Sequence, residues 1–200
     1  LAGVEFTIYS DKECQNAVEV IVTDANGKAV SSALVLGTYY VKETKALDAY
    51  LMNTTVYSVV LKNNGETVAV NNGKAIVNIL KKGQISLTKE SEDGKPLAGV
   101  EFTIYSDKEC QNAVGVIVTD ENGKAVSSAL ALGTYYVKET ATVAPFVSLS
   151  DVWAITLTEN GETKELTNKA IVNYYSAGKI TLTKTDDSGK PLAGVEFTVY

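Results

Sequence analysis

The sequence predicts an all-β protein built from tandem antiparallel Greek-key β-sandwich domains. Val, Ile, Thr and Tyr, which favour strands, dominate its periodic segments. Turn signals containing Asn-Gly recur at short spacing. No segment keeps the periodicity of an amphipathic helix over three turns. Short strands separated by close turns are typical of a β-sandwich.

A long internal repeat sets the domain organisation. The motif that starts "LAGVEF" has its Leu at positions 1, 97 and 192, which gives periods of 96 and 95 residues. Residues 1–44 and 97–140 differ at only three positions. A period of this length is that of a whole small domain rather than of a solenoid turn.

The repeat phase predicts three parts. The first repeat covers residues 1–83 and lacks its opening strand. The central repeat, residues 84–178, is complete. The closing segment, residues 179–200, holds the opening strands of a third repeat. We therefore expect the chain to be one part of a longer tandem array of such repeats.

Alternating apolar residues place six strands in the central repeat. "DENGK" at Asp120–Lys124 and "ENGET" at Glu159–Thr163 carry Asn-Gly and predict hairpin turns between strands. The predicted strands cover residues 85–89, 100–105, 115–119, 134–139, 152–158 and 168–174.

Strand parity points three polar side chains inwards. Alternate side chains of a strand face opposite sides of the sheet. In "ISLTK", which ends at Lys89, the lysine has the parity of the two apolar residues. The same argument turns Glu139 inwards in "TYYVKET" and Asn173 inwards in "KAIVN".

Burying these groups separately is too costly for one domain. An unpaired buried ion costs several kcal/mol, against a domain stability of about 5–15 kcal/mol. A lysine and a carboxyl group that are both buried must therefore meet, lose their charges or react. Burial lowers the pKa of a lysine and raises that of a carboxyl group. A neutral amine held beside a protonated carboxyl and a carboxamide can exchange amides with loss of ammonia.

Three motifs in fixed order resemble a known family. "LTKESEDGKPLAGVEFTIY", "YYVKET" and "KAIVN" are similar to the Cna protein B-type (prealbumin-like, SpaA-type) repeat domains of Gram-positive surface adhesins and pilins. The resemblance covers nearly the whole chain and implies a prealbumin- or immunoglobulin-like sandwich. It also implies an isopeptide bond between a first-strand lysine and a last-strand Asn or Asp, catalysed by the Glu of the "ET" motif. Carried over by motif, the bond joins Lys89 to Asn173, and Glu139 is catalytic.

The incomplete repeats match only parts of this set. In the first repeat the resemblance assigns Glu43 as the catalytic glutamate and Asn78 as the amide partner, and the matching lysine falls eight residues before Leu1. In the closing segment it assigns Lys184, whose Glu and Asn partners fall outside this sequence. We expect only the central repeat to close a bond within residues 1–200.

Other interpretations of the same residues stay open. Lys89 can be a strand-end lysine whose ammonium reaches water, Glu139 an exposed strand end, and Asn173 a turn or edge residue. A buried lysine–glutamate ion pair without chemistry is a further alternative to the covalent bond.

The two cysteines have matching positions in successive repeats. Cys14 and Cys110 lie a domain length apart, too far to bond with each other. We expect small buried thiols, with an interchain disulfide as an alternative. Each precedes a Gln, as in thioester adhesins, but neighbours on an extended strand point to opposite faces.

Composition excludes several classes of function. Lys plus Arg number 18 against 24 for Asp plus Glu, so the net charge of -6 disfavours nucleic acid and anionic membranes. Histidine is absent, which removes most catalytic triads and the common zinc sites. We expect no cofactor and no metal. No apolar run is long enough for a transmembrane helix, so we expect no membrane insertion.

We therefore expect a structural stalk repeat of an extracellular adhesin or fibre attached to the cell wall. Its partners would be the neighbouring repeats of the same polypeptide, and its only reaction would be a single self-cross-linking turnover rather than enzymatic catalysis. One alternative is an adhesion module that binds a host ligand through the segments 45–70 and 141–166, where the repeats diverge. A second is a sortase-polymerised pilus shaft subunit, although no "LPxTG" or "YPK" motif occurs.

Overall fold

The chain folds almost entirely into strands, which confirms the all-β prediction. A computed structural model describes residues 1–199. Within these residues the only helical element is one 3-10 turn at Val70–Gly73. None of the helices in this part of the chain is both long and apolar enough to cross a membrane.

The first repeat is built on one antiparallel sheet. Its strands are β1 (Glu5–Tyr9), β2 (Ala17–Val22), β3 (Gly37–Lys45), β4 (Tyr50–Leu51), β5 (Val56–Leu61) and β6 (Ile79–Leu80). Four of them form the sheet in the order β2-β1-β3-β5. The two short strands β4 and β6 pair with each other in a separate two-stranded sheet.

The central repeat has two layers of strands. Its strands are β7 (Lys82–Ser91), β8 (Glu101–Tyr105), β9 (Ala113–Val118), β10 (Lys124–Val126), β11 (Leu130–Ala131), β12 (Gly133–Ala141), β13 (Val152–Leu157), β14 (Thr163–Glu165) and β15 (Ile171–Asn173). One layer has the order β9-β8-β12-β13, which is the strand order of the first repeat. The other layer is organised around β7.

The opening strand β7 pairs with four other strands. It runs antiparallel to β10 and β11 and parallel to β14 and β15. The predicted sandwich of antiparallel strands is present, and these two short parallel pairs are a feature that the prediction did not include. They arise because the chain leaves β7, passes through the other layer and returns beside β7 in the same direction, which is the long crossover that parallel strands require.

The six predicted strands of the central repeat all occur, with shifted ends. The last one is shorter than predicted, covering Ile171–Asn173 instead of residues 168–174. The strands β10, β11 and β14 were not predicted, because two or three residues are too few to show an alternating pattern.

The Asn-Gly turns form, but they are not hairpin turns. The turn at Asp120–Lys124 closes with a backbone hydrogen bond of 2.8 Å from the amide of Asp120 to the carbonyl of Lys124. It connects β9, which pairs with β8, to β10, which pairs with β7 in the other layer. The hairpin prediction is therefore wrong, since a tight turn also serves to pass the chain between layers.

The main core lies between the two layers of the central repeat. It contains Ile85 and Leu87 of β7 and the apolar residues that face them. The rings of Phe102 and Trp153 pack against each other there, with 6.3 Å between their centroids. The first repeat has a much smaller buried cluster, made of Val4, Phe6, Ile8 and Val41.

The closing segment differs from its prediction. Residues 180–184 repeat the pattern of β7, yet no strand is assigned between residues 179 and 199. Ile180 is 79% exposed and Leu182 57%, whereas Ile85 and Leu87 are 0% and 1% exposed. Within residues 1–199 no strand pairs with 180–184, so the hydrogen bonds and burial that hold β7 are missing there.

Candidate functional site

Three side chains from three strands meet in the interior of the central repeat. Lys89 comes from β7, Glu139 from β12 and Asn173 from β15. Their exposed fractions are 0%, 2% and 0%, so all three are buried as strand parity indicates. The alternatives that place the Lys89 ammonium or the Glu139 carboxylate in water do not fit this burial.

The layers bring these residues together from opposite sides. The side chains of β7 alternate without a break, which makes Lys89 the inward residue after Ile85 and Leu87. The strand β15 runs beside it with Ile171 opposite Lys89. Glu139 lies in the other layer, opposite Phe102 of β8. The amine and the carboxamide therefore share one layer, and the carboxyl group faces them from the other.

A short network of contacts joins the three groups. The Lys89 Nζ donates to the carbonyl oxygen of Ile171 at 3.0 Å and lies 3.9 Å from the Glu139 Oε2. The Asn173 Nδ2 donates to the Glu139 Oε1 at 2.9 Å and to the Thr142 Oγ1 at 2.7 Å. The backbone amide of Leu149 also donates to the Glu139 Oε1, at 3.2 Å.

Two oxygen atoms of this network are left without a partner. The Glu139 Oε2 and the Asn173 Oδ1 are buried and accept no hydrogen bond from any of residues 1–199. Buried polar atoms are almost always paired, because leaving one unsatisfied costs about 1–3 kcal/mol. This arrangement of the side chains therefore lowers the free energy of unfolding of the central repeat.

Burial also changes the ionisation of the lysine. Removal from water lowers the pKa of the Lys89 amine from 10.5 to about 8, and the nearby Glu139 opposes this shift by favouring the charged form. A substantial fraction of the amine is therefore neutral at mildly alkaline pH, and only a neutral amine is a nucleophile.

Sequence reasoning missed two members of the site. Thr142 has the opposite parity to Glu139, which predicts an outward side chain, but a register shift between Glu139 and Ala141 turns the strand. The Leu149 contact is a backbone amide, for which the sequence carries no signal. Both residues lie in the divergent segment 141–166, so this segment helps to build the site.

The first repeat holds a partial copy of the site. Glu43 is buried, and the Asn78 Nδ2 donates to its Oε1 at 2.5 Å and to the carbonyl of Leu51 at 2.9 Å. The Glu43 Oε2 is buried without a partner, and in residues 1–199 no lysine forms an ion pair with Glu43. Lys184 is exposed and its Nζ donates to the carbonyl of Thr185 at 3.0 Å.

The cysteines differ from their prediction. Cys14 and Cys110 are half-buried free thiols rather than buried ones. Each lies in a turn with φ of 54°, not on an extended strand. The turn follows β1 in the first repeat and β8 in the central repeat. In each turn an Asp carboxylate accepts hydrogen bonds from backbone amides further along the chain, as Asp11 does from the Asn16 amide at 2.6 Å.

Comparison with known protein families decides the class. The family model described as SpaA, prealbumin-like fold domain, matches residues 1–74 and again residues 83–170. The chain belongs to this family. The resemblance to SpaA-type repeats found from the three sequence motifs is thereby confirmed, and so is the prealbumin-like fold.

Solved structures support the same assignment. The Bacillus anthracis TIE protein is 30% identical over 86% of this chain, with a TM-score of 0.69, and this SpaA-type chain spans 30% of its length. A C-terminal fragment of the pilus adhesin SpaC from Lactobacillus rhamnosus GG is 16% identical, with a TM-score of 0.52 and coverage of 90% of this chain and 91% of the fragment. At that identity the second likeness shows the fold alone. No curated protein matches the chain.

Proposed function

We propose that this chain is a structural part of a surface stalk or fibre of a Gram-positive bacterium. We further propose that its central repeat closes an isopeptide bond between Lys89 and Asn173, with Glu139 as the catalytic acid and base. The family assignment, and the resemblance of its motifs to the repeats of Gram-positive surface adhesins and pilins, support the structural role and an extracellular location.

One observation carries the covalent part of the proposal. An amine, a carboxyl group and a carboxamide meet in a buried site, and two of their oxygens have no other partner. A permanent ion pair would leave the Asn173 oxygen unsatisfied. A bond from Lys89 to Asn173 replaces the buried charge by a neutral amide, which removes the cost of keeping an ion out of water.

The reaction balances without any added reagent. The neutral Lys89 Nζ attacks the Asn173 Cγ, and a new N–C bond forms. The bond between Cγ and Nδ2 breaks, and the proton lost by the lysine nitrogen passes to the leaving nitrogen, which departs as ammonia. No oxidant, metal or water is consumed.

The contacts of Glu139 suit the transfer of that proton. Its Oε2 faces the Lys89 Nζ and its Oε1 contacts the Asn173 Nδ2. One carboxyl group thus reaches both the atom that loses a proton and the atom that gains one. Half a turn of the Asn173 amide exchanges its oxygen and nitrogen, so a protonated Glu139 can also polarise the carbonyl for attack.

Proximity supplies the rest of the rate. The Lys89 Nζ is already held at the Ile171 carbonyl, two residues before Asn173 on the same strand. Groups held in contact by a folded protein can react as though at effective molarities of about 10⁵–10⁸ M. The amide needs no further activation by a cofactor.

The denatured intact mass of the purified chain tests the proposal. We expect the mass calculated from the sequence minus one ammonia. Lys89→Met, Glu139→Gln and Asn173→Ala should each show their own calculated mass with no loss, since each removes the nucleophile, the proton carrier or the amide.

Lys184→Met is the matched control, because Lys184 occupies the same motif position in the closing segment but is exposed. This variant should still lose one ammonia per chain. A wild-type chain at its full calculated mass would mean that the bond does not form, and the structural role would then rest on the fold alone.

A further inference from the structure

The segment that follows β12 contacts two of the three reactive groups of the central repeat. Residues 142–149, here called the strap, lie between β12 and β13. At one end of the strap, the Thr142 Oγ1 accepts from the Asn173 Nδ2 at 2.7 Å. At the other end, the Leu149 amide donates to the Glu139 Oε1 at 3.2 Å. The strap therefore holds both the carboxamide and the carboxyl group.

The strap is itself fixed in place by packing and by a ring stack. Its apolar side chains pack against the core of the central repeat, namely those of Val143, Phe146 and Leu149. The Phe146 ring stacks on the Tyr175 ring, with 4.7 Å between the centroids and 28° between the planes. Next to this stack the Val147 amide donates to the Tyr174 carbonyl at 3.0 Å. Side chains and backbone thus hold the strap against the end of β15.

Tyr175 also connects the strap to the end of β7. Its amide donates to the Glu92 Oε1 at 3.0 Å, and its hydroxyl donates to the Asp93 Oδ2 at 2.8 Å. These two acidic residues follow directly after β7. The Glu92 amide in turn donates to the Asn173 carbonyl at 3.0 Å. The strap is therefore anchored to both strands that carry the groups to be joined.

The Thr142 hydroxyl fixes the orientation of the Asn173 amide. The Nδ2 of that amide carries two hydrogens. The Glu139 Oε1 accepts one of them at 2.9 Å, and the Thr142 Oγ1 accepts the other. The terminal torsion of an Asn side chain has only broad preferences of its own. The two acceptors together therefore keep the nitrogen, which is the leaving atom of the proposed reaction, beside Glu139.

The Leu149 amide determines which oxygen of Glu139 can take a proton. The Glu139 Oε1 accepts two hydrogen bonds, from the Leu149 amide and from the Asn173 Nδ2. The Oε2 accepts none from the described residues and lies 3.9 Å from the Lys89 Nζ. Hydrogen bonds from N–H donors stabilise negative charge on the oxygen that accepts them. The Oε2 is therefore the oxygen that receives a proton from the lysine.

We propose that the strap takes part in the cross-linking reaction: Thr142 holds the leaving nitrogen of Asn173, and the Leu149 amide reserves the Glu139 Oε2 for the lysine proton. This inference rests on the proposed function, because it assigns further parts of the same reaction. As the bond from the Lys89 Nζ to the Asn173 Cγ forms, Oε2 takes the lysine proton. As the bond from Cγ to Nδ2 breaks, Glu139 gives that proton to Nδ2, which leaves as ammonia. The Thr142 hydroxyl is not consumed.

The rate of ammonia loss by the full chain tests the role of Thr142. A short pulse of cell-free synthesis gives chains that start unlinked, and their intact mass is then followed in denatured samples, at a temperature low enough to resolve the loss by the wild-type chain. Thr142→Val keeps the shape of the side chain and removes the hydroxyl. We expect it to lose ammonia about tenfold more slowly, which corresponds to one lost hydrogen bond.

Two further variants separate the hydroxyl from packing. Thr142→Ser loses a methyl group and keeps the hydroxyl, so it should react at nearly the wild-type rate. If Thr142 acted only by packing, the order would be reversed, with Ser slower than Val. Thr134→Val is the matched control, since it removes a hydroxyl that shares an exposed 2.9 Å hydrogen bond with the Thr156 Oγ1, away from the site. It should leave the rate unchanged.

The ring stack is tested without touching any reacting atom. Phe146→Leu removes the ring that packs on Tyr175, and Phe146→Tyr keeps it. We expect ammonia loss to slow in the first variant and to stay at the wild-type rate in the second, which would make Phe146 a positioning residue. Equal rates in the two variants would overturn the role of the stack in holding the strap.

A chain that cannot react shows the hold on the amide directly. In Lys89→Met no bond can form, and the side-chain amide protons of Asn173 can be followed by NMR. They should exchange with water more slowly there than in Lys89→Met/Thr142→Val. Equal exchange would overturn the hold of Thr142 on the nitrogen, whether or not the wild-type chain reacts.

The two levels of the proposal fail in different ways. A wild-type chain that never loses ammonia would contradict the proposed function. A wild-type chain that loses one ammonia, at the same rate as Thr142→Val, would leave the proposed function intact and overturn only the part assigned to the strap.

Discussion

Lys89 is the residue whose ionisation makes the unreacted site sensitive to pH. Its pKa is about 8 in the fold and 10.5 in the unfolded chain. Between these values the unfolded chain holds a proton that the folded chain does not. The free energy of unfolding therefore rises with pH across this window, and the destabilisation is complete below about pH 8.

The Asn173→Ala variant, which keeps the free amine, should show this dependence. We expect its free energy of unfolding, measured by urea denaturation, to increase from pH 8 to pH 10.5. The double variant Lys89→Met/Asn173→Ala corrects for tyrosines that ionise in the same range and should lack the increase. Equal pH profiles for the two variants would contradict a buried, neutral Lys89. The wild-type chain, once linked, should resemble the double variant because an amide does not titrate.

The residue level is also where sequence reasoning was most informative. The alternation along a strand predicts the side of the sheet to which each side chain points. The sequence alone therefore predicts that Lys89, Glu139 and Asn173 point into the interior of the central repeat. The same rule misplaces Thr142, because the register shift after Glu139 breaks the alternation. Polar contacts made by a backbone amide, such as that of Leu149, leave no pattern in the side chains.

At the level of elements, β7 depends on a glycine turn. A Cβ added to Gly123 would lie 2.3 Å from the carbonyl oxygen of Lys89, and the residue has a φ of +70°. Gly123→Ala should therefore push β7 away from its place, lower the free energy of unfolding by more than the roughly 1–2 kcal/mol of the left-handed conformation, and reduce the fraction of chains that lose ammonia.

Gly161→Ala is the matched control for this substitution. Gly161 has a φ of +83° in the other Asn-Gly turn of the central repeat, and among the described residues no atom other than those of its chain neighbours lies within 4 Å of an added Cβ. The Gly161→Ala variant should lower the free energy of unfolding only by the roughly 1–2 kcal/mol of the left-handed conformation. Its intact mass should show a complete loss of ammonia. Equal effects of the two variants on the bond would mean that the approach of Gly123 does not position Lys89.

The elements also show what periodicity cannot supply. Hydrophobic periodicity identified the long strands but not the parallel pairing of β14 and β15 with β7. The side of the sheet to which a side chain points carries no information about which strand is the neighbour or in which direction it runs. The closing segment gives the reverse case. Ile180–Lys184 has the pattern of β7 but forms no strand, since a single strand without neighbours buries too little to offset its loss of conformational entropy.

For the whole molecule, the proposed bond between Lys89 and Asn173 would close most of the central repeat into one loop. A cross-link over about 85 residues stabilises a domain by roughly 4–5 kcal/mol through the entropy of the unfolded chain. Lys89→Met keeps the volume of the side chain and removes the link. We expect calorimetry to show the transition of the central repeat about 15–30 °C lower.

The transition of the first repeat should stay where it is in that variant, because Lys89 does not contact it in the described residues. Asn173→Ala should lower the same transition by a similar amount, since both substitutions remove one link. A shift of only a few degrees in both variants would indicate that the wild-type chain has no cross-link.

The path of a pulling force is the property on which a stalk depends. The chain enters the central repeat on β7 and leaves it after β15, and the proposed bond joins these adjacent parallel strands at Lys89 and Asn173. Force would cross from one strand to the other through the bond, so residues 90–172 would never be stretched.

In single-molecule pulling, Lys89→Met should give an unfolding step in which residues 90–173 extend by roughly 280–300 Å. The wild-type chain should lack this step while both chains show the same step for the first repeat. A wild-type chain that extends by the full length would rule out a clamp between β7 and β15.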